Sequence, residues 1–521
     1  MGNLFNTLKG DYLQRSRSYA FLITVAIAVY AAHSFVPTPE ADYTTLNIPG
    51  YKGVYNSAWA GNINALMTTV MLSLCGFYLV NSTIKKDIDT EVGLIIATTP
   101  VSNFGYLFIK FLGNLMILLT ISGIALLVGI VMFFIRNSGY PFYIGDFLRP
   151  YFFMVVPAMV VVSGLAITAE VFLSRKTILQ NAIYFLAFTI LILAMTRQTN
   201  TMGDNIKDAF GTGIVTSSIN EKINKQFGEN IQSITLGYIK LENNQYKTFE
   251  WDGALWDYNY LISRLIWVSF TFLLVYISSL FFHRFDFKQA VQRRPILQIF
   301  EEKTTSAPYS GFQKSALPEI ATAYGIIPFV KIELMMMIRK DAKWLWLINL
   351  SLWVASIFLP LEKAYSLLLP ALFFLQVNRI SDLTSKEVTN RLHYFTFASY
   401  KPLQRLLPAQ VLAGLILLTV LAMPVIFRLL FSFHFISIIQ VLNGIVFIVA
   451  LSVCLGVVSG GRKLFEIFFF VLTYIAYKSP GAHYLGNINT SDYPMTTALF
   501  ITSFVLLILS FVVRKNQIKT L

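Results

Sequence analysis

The chain has 521 residues, of which 55% are hydrophobic and 13% charged, and its mean hydropathy is +0.62. Soluble domains carry about 25% charged residues, so this composition excludes a soluble globular class and predicts an all-α polytopic membrane protein. The formal charge of +14 is then a signal of topology, and no nucleic-acid partner is expected.

Apolar runs at 20–35, 62–80, 105–135, 151–173, 178–195 and 260–282 form a first set of six. A second set lies at 344–359, 364–377, 406–431, 434–458, 464–477 and 496–513. This predicts about twelve transmembrane helices, although several runs are shorter than the roughly 20 residues of a perpendicular span. With both termini cytoplasmic, 28 of the 41 Lys and Arg fall inside and 13 outside, and seven of those 13 belong to one long external loop and its edge. Long loops carry little weight in the positive-inside rule, so this orientation is the expected one.

Residues 1–19 place Leu4, Phe5, Leu8 and Tyr12 on one face, which predicts an interfacial amphipathic helix and not a secretory signal. The loop 36–61 interleaves turn residues with Tyr51, Tyr55 and Trp59, aromatics expected at headgroup level as an interfacial belt or as a substrate gate. In the second run Asn64, Thr68, Met71 and Cys75 share one helical face. Polar groups in hydrocarbon face protein or a wet cavity, so Asn64, Thr68 and Met71 serve either helix packing or the lining of a pathway.

A charged island follows at 81–104. Ile88, Val92, Ile95 and Ile96 recur at helical spacing while Lys85, Lys86, Asp87, Asp89 and Glu91 gather elsewhere, predicting a short amphipathic helix against the membrane or a partner. Thr99-Pro100 ends it, with Thr99 placed to cap the next span. Glu170 lies about one turn inside the next boundary, within helical reach of Arg175 or Lys176. The long segment 197–260 alternates polar and apolar residues over 231–242 and 246–251, which predicts two strands turning at 242–246 as a small external hairpin cap. Residues 284–325 read as a cytoplasmic linker.

Beyond the linker the pattern recurs. Val80-Asn81 and Glu91-Val92 are answered by Val377-Asn378 and Glu387-Val388, Arg175-Lys176 by Arg462-Lys463, and Lys9 and Asp11 by Lys331 and Glu333. The expected architecture is therefore a first six-helix half at 1–283 with external loops 36–61 and 196–259, the linker, and a second six-helix half at 326–521. Cys75 and Cys454 both fall inside apolar runs, so no disulfide framework or metal site is implied. No Gly-x-x-x-x-Gly-Lys-[Ser/Thr] and no His-Glu-x-x-His occurs, so the chain is not expected to be an enzyme or an ATPase.

The first island resembles the first cytoplasmic loop of ABC-2 type permeases, the membrane subunits of ATP-driven exporters. The match is carried by Ala97, Thr99, Pro100, Val101, Ser102, Tyr106, Leu107, Lys110, Leu112, Gly113 and Asn114. The resemblance implies a coupling helix, with Asp87, Asp89 and Glu91 docking a separate ATPase subunit and Lys386, Glu387 and Arg391 doing so in the second island. The second island lacks the Ala-Thr-Pro-Val-Ser match and carries Tyr400-Lys-Pro402 instead, which weakens its equivalence to the first. The resemblance further implies fused half-permeases in a bacterial cytoplasmic membrane that work with two ATPase copies. ATP and magnesium would be held on those partners, and this chain would meet membrane lipid but bind no cofactor. An ion-coupled secondary transporter and a membrane anchor of a larger complex are the alternatives.

Overall fold

Seven helices among the described residues are long and apolar enough to cross a membrane. They are Ser57–Val80, Asn103–Arg136, the run from Gly145 to Phe172, Tyr258–Phe281, Pro402–Phe431, Phe435–Ser459 and Tyr493–Lys519. The other apolar runs also form helix, in the shorter pieces Tyr19–Phe35, Thr177–Ala194, Lys343–Phe358, Leu369–Leu375 and Lys463–Lys478. Almost no sheet accompanies them, so the molecule is an all-α membrane protein. This computed structural model describes residues 2–282 and 325–519, apart from 39, 42, 91, 100, 137–138, 174–176, 195–201, 230, 232–233, 241–245, 341–342, 479–483 and 487–492. The expected linker, except Gly325, thus lies outside the described residues.

Packing follows the order of the chain. Ser57–Val80 lies against Asn103–Arg136 and Val156–Phe172, and Val156–Phe172 also receives Tyr258–Phe281. On the other side of the molecule, Phe435–Ser459 packs between Pro402–Phe431 and Tyr493–Lys519. The amphipathic helices Gly2–Ser16 and Ile327–Arg339 rest on Asn103–Arg136 and Pro402–Phe431 respectively. Small residues permit the close crossings that lipid-embedded helices depend on. A Cβ at Gly456 would overlap the Thr384 hydroxyl, and one at Gly164 would overlap Thr271.

The two groups of helices share one core. Tyr78 stacks on Phe470 with centroids 3.9 Å apart, and Phe185 meets Phe374 at 5.2 Å. In the sequences Val156-Pro157 and Leu369-Pro370 the proline has no N–H to give to the preceding turn. The turns before them widen to π-helix at Tyr151–Val155 and Ala364–Leu368.

At the end of Ser57–Val80 opposite the island, two loops build a small cap. Strand Tyr43–Asn47 pairs antiparallel with Thr235–Lys240, and Tyr51–Gly53 pairs parallel with Lys247–Phe249. The two later strands were expected to pair with each other as a hairpin, and they do not. Each takes its partner from the loop 36–61, so one cap is woven from both. Tyr51, Tyr55 and Trp59 are correspondingly buried inside the cap. Trp59 meets Phe249 and Trp251 edge to face at 6.0 and 6.1 Å, and such contacts add to plain area burial. The cap is fastened to the spans by Arg264, whose guanidinium donates to the carbonyls of Asn205, Asp208 and Ala209.

Candidate functional site

The corner at Asn81 sets the geometry of the first island. Ser57–Val80 ends as Asn81 turns extended and Ser82 adopts φ +74°. The Asn81 amide holds this shape by accepting from the Ser82 amide at 2.8 Å and donating to Gln180 at 3.1 Å. The chain then re-enters helix as Thr83–Asp89 with no side-chain cap of its own. Its first amides go to Glu170 on a neighbouring span, whose carboxylate accepts from Thr83 at 2.8 Å and Ile84 at 2.6 Å. Hydrogen bonds to an ionised acceptor are about twice as strong as neutral ones. Glu170 is thus a cap supplied from a neighbouring span, and its described bonding is to the island backbone. Arg175 and Lys176 lie outside the described residues.

A second fastening comes from the other group of helices. The Lys463 ammonium donates to the carbonyls of Asn81 and Leu79. A third is ionic. Lys110 bridges Asp87 at 2.8 Å and Asp11 at 3.0 Å, Asp11 pairs with Arg15 at 2.6 Å, and Arg15 donates to Asn114 at 2.6 Å. The Tyr106 hydroxyl donates to Asp87 at 2.8 Å. Tyr106, Lys110 and Asn114, three residues that carry the family resemblance, therefore join the island, the N-terminal helix and the span Asn103–Arg136.

The one island helix expected is two, Thr83–Asp89 and Val92–Ala97. Its apolar residues Ile88, Val92 and Ile95 are exposed, Ile95 at 68%. Thr99 donates to the Ile96 carbonyl at 2.7 Å and does not cap the next span. Ser102 does so, accepting from the Gly105 amide at 3.1 Å ahead of Asn103–Arg136.

The second island breaks into the short helices Val377–Ile380, Lys386–Thr389 and His393–Thr396. Lys386 pairs with Glu333, and Lys340 with Asp382 at 2.7 Å, so this island too is bound to an amphipathic helix that precedes it. Burial raises the Asp382 carboxyl, but the Lys340 ammonium outweighs it and holds the group below its usual range. Glu387 is buried and accepts from Gln410 at 2.6 Å, while its second oxygen has no hydrogen-bond partner among the described residues. Burial pushes its carboxyl above the usual range, opposed by the Lys386 ammonium. Leu392, Tyr394, Phe395 and Tyr400 form an exposed apolar surface.

Among the residues expected to dock a partner, Asp87 and Lys386 are half-buried in internal ion pairs and Glu387 is buried. Arg391 is exposed at φ +57°. Asp89 lies in the first island helix, and Glu91 is outside the described residues. Asn64 and Thr68 are buried and Met71 is half-buried. The Asn64 amide donates to the Ala125 carbonyl at 3.2 Å and sits where a Cβ at Gly129 would overlap it, so it serves helix packing.

The roles of Glu170 and Lys463 were not readable from sequence because both act on backbone groups, which leave no side-chain pattern. No family model, no curated protein and no solved structure matches this chain.

Proposed function

We propose that the chain is the membrane-spanning subunit of an ATP-driven ABC exporter of the ABC-2 kind, driven by separate ATPase subunits that dock on its two islands. The observation that carries this reading is the fastening of Thr83–Asp89. It is capped by Glu170, gripped by Lys463 and ion-paired through Asp87, while Ile88, Val92 and Ile95 stand exposed. A force applied to that face is passed to spans of both groups of helices without loss in a soft joint. That is the mechanical requirement for coupling hydrolysis on a partner to motion in the membrane. The partner's contact would be mainly apolar, because the island's Asp87 is already paired within the chain.

A duplicated twelve-helix permease with both termini cytoplasmic in a bacterial inner membrane fits the same pattern. Lys110 contacts Asp87 in the first island and Gln410 contacts Glu387 in the second, so in each an acid is met by a residue of the span that follows. The second island offers Tyr394 and Phe395 where the first offers Ile88 and Ile95, which gives two docking faces for two ATPases. ATP and magnesium would be bound by those partners.

The test is the double substitution Ile88→Asp with Ile95→Asp. Apolar anchors at interface centres cost about 2 kcal/mol or more when lost, so the ATPase that copurifies with the chain should fall at least about tenfold, with transport, while membrane insertion is retained. Unchanged ATPase recovery and unchanged transport would overturn the reading.

A further inference from the structure

A cavity of about 240 Å3 lies where three helix ends meet on the island side. They are the start of Tyr19–Phe35, the end of Ser57–Val80 and the start of Lys463–Lys478. Apolar helices begin and end at the boundary between hydrocarbon and headgroups, so the cavity sits at headgroup depth.

Its polar side carries four cations, Arg15, Lys86, Lys110 and Lys463, against the two carboxylates Asp11 and Asp87. Arg15 and Lys110 are matched by those carboxylates at 2.6 to 3.0 Å. The two surplus charges therefore reside on Lys86 and Lys463. Lys86 is exposed and has no ion-pair partner among the described residues. Among the described residues Lys463 donates to the neutral carbonyls of Asn81 and Leu79. The Glu170 and Glu466 carboxylates act on it through their fields from outside the cavity lining, Glu170 while accepting from the Thr83 and Ile84 amides and Glu466 while paired with Arg462. The opposite wall is apolar, made by Phe21, Leu79, Ile117, Leu464 and Ile467.

Two ammonium groups without an ion-pair partner in the cavity lining, facing an apolar wall at headgroup depth, match an amphiphile with an anionic head, not a fully hydrated ion. We propose that this cavity binds the phosphate headgroup of an anionic phospholipid, with the phosphate between Lys86 and Lys463 and the acyl chains leaving along Phe21 and Ile117. Gln14 and Ser82 line the headgroup end. The bound lipid joins three separately fastened pieces: the N-terminal helix, the first island and the second group of helices. It makes the island's attachment sensitive to membrane composition. The assignment does not depend on what drives the chain.

The experiment uses the full chain, delipidated and then reconstituted in nanodiscs of zwitterionic phospholipid with or without phosphatidylglycerol, followed by native mass spectrometry and thermal unfolding. Wild-type protein should retain phosphatidylglycerol in preference to the zwitterionic lipid and unfold at higher temperature in its presence. Lys86→Ala, which removes no internal contact, should weaken retention about fivefold, the effect of one basic residue near an anionic surface. Adding Lys463→Met should weaken it further, and Lys225→Ala on the cap should change nothing. Equal retention of both lipids, or unchanged retention in Lys86→Ala, would overturn the site. Stabilisation by inorganic phosphate in detergent that matches that by phosphatidylglycerol would overturn the lipid as its source.

Discussion

The two charged islands, each lying between apolar helices, are fastened differently. In the first, the corner at Asn81 is held by an ammonium from the other group of helices, and the helix after it by a carboxylate from a neighbouring span of its own group. In the second, three four-residue helices are held by several other elements, through Lys386 with Glu333, Lys340 with Asp382, Gln410 with Glu387, and Arg514 and Ser452 donating to the Thr384 and Ile380 carbonyls. The first corner is therefore anchored across the two groups of helices, and the second within its own group. The Asp87 carboxylate meets an ammonium, whereas the Glu387 carboxyl meets a neutral amide in a buried place.

The largest effect expected is at the anchorage. Glu170→Leu leaves the Thr83 and Ile84 amides without their acceptor, and an unsatisfied buried donor costs about 1–3 kcal/mol. A loss of about 3 kcal/mol should appear as a lower unfolding temperature and as earlier proteolytic cleavage between residues 82 and 99. Glu170→Gln, which keeps an acceptor oxygen, should fall between the two. Cleavage at an unchanged rate in Glu170→Leu would erase the distinction between the islands.

A smaller loss is expected from Asp87→Asn. Lys110 keeps Asp11, and the Tyr106 hydroxyl keeps an acceptor, so the cost should be roughly 1 kcal/mol, as for a partly screened pair. Thermal unfolding in detergent measures it.

The smallest change, and one of opposite sign, belongs to Glu387→Gln. Because burial raises the folded carboxyl above its unfolded value, its contribution is fully present below the ordinary carboxylate range and is lost as pH rises through the folded value. The substitution should therefore raise the unfolding temperature at neutral pH, and the gain should vanish in acid. If Asp87→Asn and Glu387→Gln both destabilise at neutral pH, the contrast between the islands fails.

The apolar runs, the islands and the two later cap strands were legible in the sequence because each rests on local periodicity. The partners were not. Alternation places Thr235–Lys240 and Lys247–Phe249 in strands but says nothing about which edge they meet, and both meet a loop on the far side of four apolar runs. The island exposes Ile88, Val92 and Ile95 of its expected apolar face, while Ile96 packs against the core. Its charges were misplaced: Asp87 turns inward because Lys110, a span residue, offers it a cation at the boundary. Glu170 drew notice as a lone acid in an apolar run, yet its backbone partners could not be named without the fold.

The woven cap sets an order on biosynthesis. Strand Tyr43–Asn47 emerges early, but Thr235–Lys240 and Lys247–Phe249 follow only after several helices have been inserted. Until then the early loop has open strand edges, which invite pairing with other chains. Pairings so distant in sequence also form slowly. Once closed, the two ladders act as a clasp around the intervening helices, so that none can leave the bundle unless the cap is opened first. A chain stalled before residue 235 is on this account the species most exposed to misassembly, and completing the cap is the step that commits the first half to its final topology.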